Sequence, residues 1–147
     1  MAGGRPMNYI FSTEHSKRYR FPTHTNYLVM DRSEAVGSEV FIVELASGEA
    51  PPPHQHDDME QIFYILSGHG RLEVGADGEA YPVGPGDVVR IPPATPHTIH
   101  SLGDTPLSYL AVDCFPAGRP ADEPTWDAHI KGVCQELGWD YAQIVGE

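Results

Sequence analysis

The feature that most constrains this chain is its punctuation. Short runs rich in β-branched and aromatic residues alternate with glycine and proline turn signals, at a spacing of roughly 8–12 residues. The runs are Tyr9–Ser12, Asn26–Asp31, Glu39–Leu45, Gln61–Leu66, Arg71–Val74, Ala80–Val83, Val88–Ile91, Thr98–Ser101 and Leu107–Phe115. Between them lie segments such as "ASGEAPPP", "SGHG", "GADGE", "GPGD", "PPATP" and "LGDTP". Proline cannot donate to a central ladder, so each proline cluster ends a strand. "GADGE" centres Asp77-Gly78 and reads as a hairpin loop. No helical pattern alternates with these strands, which argues against a parallel α/β sheet. The expected fold is all-β, an antiparallel barrel of the double-sheet jelly-roll type.

The tail changes character. "PAGRPADEP" is a proline-rich connector, and "TWDAHIKGVCQELG" after it reads as one α-helix. Thr125 suits the N-cap, Asp127 the first turn and Gly138 the position just past the end. Ile130, Val133, Cys134 and Leu137 fall on one apolar stripe, so the helix is expected to dock on the barrel or on a partner subunit. The predicted organisation is an N-terminal arm and first strand over 1–24, the barrel over 25–116, and a connector with the C-terminal helix over 117–147. Residues 1–8 read as a loose arm.

Charge narrows the partners. Nine basic and 21 acidic residues give a formal charge of −12. A phosphate backbone needs a basic stripe, so no nucleic-acid partner is expected. The cluster Lys17, Arg18 and Arg20 reads as a solvated strand face. No apolar run approaches the ~20 residues that cross a bilayer, and "MAGGRPMN" has no apolar leader core, so neither membrane insertion nor secretion is expected. Cys114 and Cys134 make no CxxC and no zinc-type spacing. They read as packed thiols in a reducing, cytoplasmic setting, with a disulfide between them left open.

The stretch "PPPHQHDDMEQIFYILSG" carries the chemistry. His54 and His56 are two apart, and alternate side chains of an extended segment point to one side. Neutral imidazole is the commonest protein ligand for first-row divalent metals. Two such rings on a proline-stiffened loop can meet one ion. An HxH pair alone is a weak signal, and the rest of the chain decides its meaning.

Two segments together resemble the motifs of the cupin superfamily. The first runs Gly48, His54, His56, an acidic stretch and Gly68, and resembles G-x5-H-x-H-x3/4-E-x6-G. The second runs Gly86, Pro92 and His97, and resembles G-x5-P-x-G-x2-H-x3-N, with Ala94 in place of glycine and Ser101 in place of asparagine. The resemblance implies a double-stranded β-helix holding one divalent transition metal: Zn, Ni, Fe, Mn or Cu. It also bears on the fourth ligand. Glu60 and Gln61 are neighbours on a strand and cannot both face inward. The family places its ligand seven residues before the closing glycine, and that position is Gln61. The implied ligand set is His54, His56, Gln61 and His97, with Glu60 in reserve. Three imidazoles and an amide add no negative charge, so the ion would keep its full Lewis acidity.

The sequence after the last strand, "VDCFPAGR", resembles the D-x-F-x3-R ending of the uronate-processing, KdgF-like cupins, which also use a glutamine ligand. That resemblance implies that Asp113 moves a proton and that Arg119 clamps a substrate carboxylate, roles that suit a carboxylate and a guanidinium fork. Departing from that ending, Pro-Ala-Gly precedes the arginine here, and a helix follows. Plainer readings stand beside these roles: Asp113 ends a strand, and Arg119 pairs with Asp122 or Glu123. Alternation leaves the side of Arg90 open. Phe63, Ile65 and Phe115 read as barrel lining, and His100 as structural. His15, His24, His69 and His129 read as surface or hydrogen-bonded histidines.

The reading is a metal-dependent enzyme acting on a small anionic carbonyl, hydroxy-acid or sugar-acid substrate by isomerisation, ring opening or elimination. The alternatives are a cupin dioxygenase using Fe or Cu, and a non-catalytic cupin that binds a small molecule or metal. Exposed sheet edges need covering, so a homodimer is expected.

Overall fold

The computed structural model describes residues 8–146. Among them, nine strands form two antiparallel sheets. The strands are β1 (Lys17–Arg20), β2 (Thr25–Met30), β3 (Ser38–Leu45), β4 (Glu60–Ser67), β5 (His69–Val74), β6 (Glu79–Val83), β7 (Val88–Ile91), β8 (His97–Leu102) and β9 (Leu107–Cys114). The larger sheet has the order β1-β2-β3-β9-β4-β7, and the smaller β6-β5-β8. Two helices follow, α1 (Trp126–Leu137) and α2 (Tyr141–Val145). This is the double-stranded β-helix with a C-terminal helix. The start of the chain differs from expectation. Tyr9–Ser12 is irregular, with Tyr9 84% and Ile10 91% exposed. The first strand is instead the basic run, whose Tyr19 is buried while Lys17 and Arg18 face solvent. Most of the expected arm, residues 1–7, lies outside the described residues.

Alternation builds the interior. Glu39, Phe41, Val43 and Leu45 of β3 point inward, as do Gln61, Phe63 and Ile65 of β4 and Leu107, Tyr109, Ala111 and Asp113 of β9. The apolar members form one core with Ile99, Val89 and Ile91. Fully burying a side chain of this size stabilises the fold by about 1.5–3 kcal/mol. Each strand also brings one polar residue to the same end. The register pairs Glu39 with Asp113 and Asp113 with Gln61, so three inward polar side chains sit abreast across β3, β9 and β4.

The segment 48–54 extends the smaller sheet. The Gly48 N–H donates to Ser101 O at 3.1 Å, and the Ser101 N–H donates to Glu49 O at 3.0 Å. His54 and His97 exchange both backbone hydrogen bonds, at 3.1 and 2.9 Å. Prolines 51–53 cannot donate, so Thr98 reaches across from β8, its hydroxyl donating to Pro51 O at 2.7 Å.

Helix α1 begins and ends where its sequence dictates. The Thr125 hydroxyl accepts from the Ala128 N–H at 3.1 Å, and Gly138 closes the helix at φ 72°. Its buried stripe is Trp126, Ile130 and Cys134. Trp126 packs on Phe41 with ring centroids 4.6 Å apart, and Trp139 on Phe21 at 5.6 Å. A cap contributes about 1 kcal/mol. The buried stripe contributes more, so packing on the barrel rather than capping holds α1 in place.

Candidate metal centre

The exchanged backbone pair between His54 and His97 sets their side chains next to each other, with ring centroids 4.4 Å apart. His56, two residues on, returns to the same side, 4.8 Å from His54 and 6.1 Å from His97. The candidate ligand atoms of the three rings lie within 4.8 Å of one another. A further hydrogen bond ties the two loops: the Ala94 N–H donates to His56 O at 2.7 Å.

Hydrogen bonds fix which ring nitrogen is available. His54 Nδ1 lies 2.8 Å from Pro52 O, and His97 Nδ1 lies 3.0 Å from Thr95 O. A carbonyl can only accept, so each Nδ1 carries hydrogen and each Nε2 keeps its lone pair. His97 Nε2 is buried without a partner. Burial lowers the pKa of all three rings, to about 3 for His56 and about 4 for His97. They are neutral imidazoles, the form that binds metal.

Gln61 faces the same cavity, while Glu60 turns outward and pairs with Arg90 at 2.7 Å. The amide of Gln61 donates through Nε2 to Asp113 Oδ1 at 2.8 Å, and its Oε1 is buried with no partner. Asp113 is itself 2% exposed. Burial, and then the hydrogen bond and charge of Glu39, push its carboxyl well above the ordinary carboxylate range. Two carboxyl groups can share a hydrogen bond only if one carries the proton. Behind them Arg32, 1% exposed, grips Glu39 through two hydrogen bonds of 2.7 and 3.0 Å. The polar chain runs Arg32, Glu39, Asp113 and Gln61, the last of which lines the same cavity as the imidazoles.

These donors suit a divalent transition metal. Three neutral nitrogens converge, and two orphaned lone-pair atoms, His97 Nε2 and Gln61 Oε1, sit on residues lining one cavity. The predicted residues His54, His56, Gln61, His97 and Asp113 are thus brought together. Arg119 is set apart: it is exposed, it does not line the cavity, and its guanidinium donates to Arg32 O at 3.1 Å. Gly118, at φ 91°, carries the chain around the turn after Phe115, and Arg119 leaves on the outside.

Residues 41–113 match the Cupin_2 profile, described as a cupin domain. The barrel is a cupin domain. The matched span contains all four candidate ligands and Asp113, and ends before Arg119 and α1. An uncharacterized protein of Methanocaldococcus jannaschii is 44% identical over 63 residues, which cover 43% of this chain and 49% of that protein. Quercetin 2,3-dioxygenase of Bacillus subtilis is 32% identical over 94 residues, 63% of this chain and 27% of the relative. KdgF from a Halomonas species superposes with a TM-score of 0.63 at 22% identity, over 78% of this chain and 97% of that one, which shows the shared fold. The chain spans 27–56% of the length of the curated relatives it matches.

In this cupin domain the metal-competent cavity is closed on one side by α1. Trp126, His129, Ile130, Val133 and Leu137 line it from the helix, Asn26 from β2, and Phe21 and His24 from the turn between β1 and β2. His24 and His129, expected to be surface or merely hydrogen-bonded, therefore belong to the site. The signal for His129 was present. It lies three residues after Trp126 and one before Ile130, on the apolar stripe itself. His129 Nδ1 lies 3.0 Å from Glu123 Oε1, which orients the ring. His100 behaves as expected, turned away to Glu73 at 3.1 Å. Among the described residues both cysteines are free thiols, and no helix is long and apolar enough to cross a membrane.

Proposed function

We propose that this cupin domain is a metal-dependent enzyme acting on a small organic molecule by isomerisation, ring opening or elimination. His54, His56, His97 and Gln61 would hold the ion. The observation that carries the reading is the pair of orphaned lone-pair atoms, His97 Nε2 and Gln61 Oε1, in one cavity with two further neutral imidazoles. A divalent cation bound there supplies Lewis acidity toward a carbonyl or hydroxyl oxygen. The chain's own contribution is proton control. Asp113 lines the cavity, shares a hydrogen bond with Glu39 and fixes the Gln61 amide, so it can hold a proton close to a bound molecule. Relocating a proton within a substrate needs no oxidant or reductant, which fits these reaction types. Arg119, exposed and tied to Arg32 O, has no part in this reading.

The test is elemental analysis of protein purified without added metal, followed by chelator-competition titration of wild type and Gln61→Leu. One equivalent of a transition metal, held more weakly by the variant, supports the reading. A protein that takes up no transition metal refutes it.

The likeness to a quercetin dioxygenase motivates a second reading, oxygen chemistry at the same residues. An oxygen electrode separates the two, because proton relocation consumes no oxygen. A second copy of the chain is proposed to cover the free edge of the larger sheet. There, exposed Tyr64 of β4 pairs with exposed Val88 of β7. Light scattering at two concentrations would read the mass. A cytoplasmic setting is the proposal that accords with two free thiols.

A further inference from the structure

Five buried side-chain polar atoms lack a hydrogen-bond partner among the described residues, and four of them belong to residues lining the one cavity. Two are the lone-pair atoms of Gln61 and His97 already assigned to the metal. The other two are Asn26 Oδ1, an acceptor, and Trp126 Nε1, a donor. They sit on β2 and α1, elements that carry none of the candidate ligands. Buried polar groups in folded proteins are almost always satisfied, so a concentration of unmet ones marks where a ligand's own polar groups belong.

The rest of the wall states what the ligand's body is. Phe21, Phe41, Val43, Ile130, Leu137 and Trp139 present rings and hydrocarbon. No lysine or arginine lines the cavity, and its carboxyl groups are Asp113 and Glu136. The nearby guanidinium of Arg32 is engaged by Glu39. Away from the metal, an anionic group finds no counter-charge among the lining residues, and the one acid there is Glu136 of α1. The cavity volume is about 450 Å³. A cavity of about 150 Å³ lined by apolar side chains takes one benzene ring, so this one has room for two fused rings with substituents.

We propose that the cavity binds a planar molecule of one or two fused rings, without fixed charge on its body. One oxygen meets the imidazole cluster, and a second, a hydroxyl, donates to Asn26 Oδ1; Trp126 Nε1 is the donor for a further oxygen. The first oxygen rests on the metal-dependent reading above; the ring body and the second oxygen do not. Helix α1, which lies outside the span matched by the cupin profile, is then the specificity wall. It turns a polar barrel mouth into an aromatic slot.

Both of the chain's tryptophans, Trp126 and Trp139, line the cavity, so tryptophan fluorescence reports binding directly. The probes are a naphthalenediol hydroxylated at opposite ends, naphthol with a single hydroxyl, and galacturonate as a charged, ring-sized anion. They are titrated into zinc-loaded and chelator-stripped protein. Expected is a diol at least about tenfold tighter than galacturonate in the zinc-loaded protein. Asn26→Leu should bring the diol down to the affinity of naphthol. Val133→Lys, at a half-buried position of α1 that lines the cavity, should weaken the diol and strengthen galacturonate. It keeps the test readable if Asn26→Leu does not fold. Galacturonate binding tighter than the diol, or an Asn26→Leu protein that folds and still prefers diol to naphthol, overturns the proposal. The two readings fail separately. A protein that takes no zinc but binds the diol with these preferences loses the metal and keeps the slot. One that takes zinc and prefers galacturonate loses the slot and keeps the metal.

Discussion

Gln61 and Asp113 face each other across β4 and β9, and the amide of the first donates to the carboxyl of the second at 2.8 Å. That bond decides which end of the amide faces the imidazoles. With Nε2 engaged, Oε1 is the atom left buried and unpaired. An amide nitrogen has no lone pair to give a cation, whereas an amide oxygen has two. Asp113 therefore acts on the metal site through Gln61. Replacing Asp113 with leucine frees the amide to turn, and zinc affinity should fall about 10–100-fold, the usual effect of losing a group that orients a ligand. Glu60→Gln should leave zinc affinity unchanged, because Glu60 faces Arg90 on the outside. Competition against a chromogenic chelator measures both. A loss in the Glu60 variant with none in the Asp113 variant would reverse the assignment of the fourth ligand.

Behind Asp113 the Arg32–Glu39 pair is fully buried, the two side chains 1% and 0% exposed. Arg32→Met leaves the Glu39 carboxylate without its cation, next to another carboxyl group. Breaking such a pair costs about 3–5 kcal/mol, and replacing both partners with apolar residues costs far less. Arg32→Met should therefore lower stability by that order, and Arg32→Met with Glu39→Leu should recover most of it. Urea denaturation of the three proteins gives the coupling. A double variant as unstable as the single one would mean that Arg32 acts through its bond to Glu123 O or its packing on Phe115 instead.

The legible part of the site follows from period-two geometry. Gln61 and Glu60 are adjacent, so the alternation that buries Phe63 and Ile65 had to bury one and expose the other. The same alternation put Asp113 inward with Ala111 and Tyr109, and Glu39 inward with Phe41. Arg119 was not legible. It follows a strand end and a glycine at φ 91°, and a spacing counted through such a turn does not fix a side chain's direction. Helix α1 was legible as a helix with the right caps, and its stripe in part: Ile130 and Cys134 are buried, Val133 is half-buried and Leu137 is 43% exposed. What its stripe covered was not, because an apolar face shows that a helix is buried without naming the surface it lies on. The mouth of the barrel, and with it the place of His24, emerged only from the three-dimensional packing; His129 lies on the stripe the sequence shows, but the surface it faces did not follow from that.

The departure of Ala94 from the family's glycine has a local consequence. Ala94 is the only non-glycine residue with positive φ among the described residues, at 59°. The left-handed conformation costs an L-residue with a Cβ about 1–2 kcal/mol, and glycine's extra unfolded-state entropy returns about 0.5–1 kcal/mol of that. Ala94→Gly should stabilise the protein by up to about 1 kcal/mol. Because the Ala94 N–H holds His56 O, zinc affinity should also hold or rise in the variant. Thermal unfolding and the chelator titration check the two halves. Gly68 gives the opposite case. A Cβ there would meet Pro106 O at 2.3 Å and Leu107 Cα at 2.8 Å, so Gly68→Ala should lower the melting temperature sharply.

The partly desolvated imidazoles around the cavity make stability depend on pH in a direction that can be worked out. Burial lowers His24 and His97 to about 4 and His56 to about 3, and lowers His54 as well. In the unfolded chain each ring takes up a proton near its ordinary value of about 6.5. Between that value and the lowered one, the unfolded chain binds more protons than the folded chain. Stability must then rise with pH through this window and fall as the pH drops from about 6.5 toward 4. The carboxyl of Asp113 acts in the opposite sense, since its raised value favours the folded state at low pH. Four rings against one carboxyl leave the imidazoles dominant. For metal-free protein the urea midpoint should be lower at about pH 5 than at about pH 7, with His24→Gln reducing the difference. His24 is the variant of choice, because it lines the cavity from the strand side and is not among the candidate ligands. Equal midpoints at the two pH values would mean that these rings are open to water in the folded chain, and with that the closed imidazole cluster would lose its physical basis.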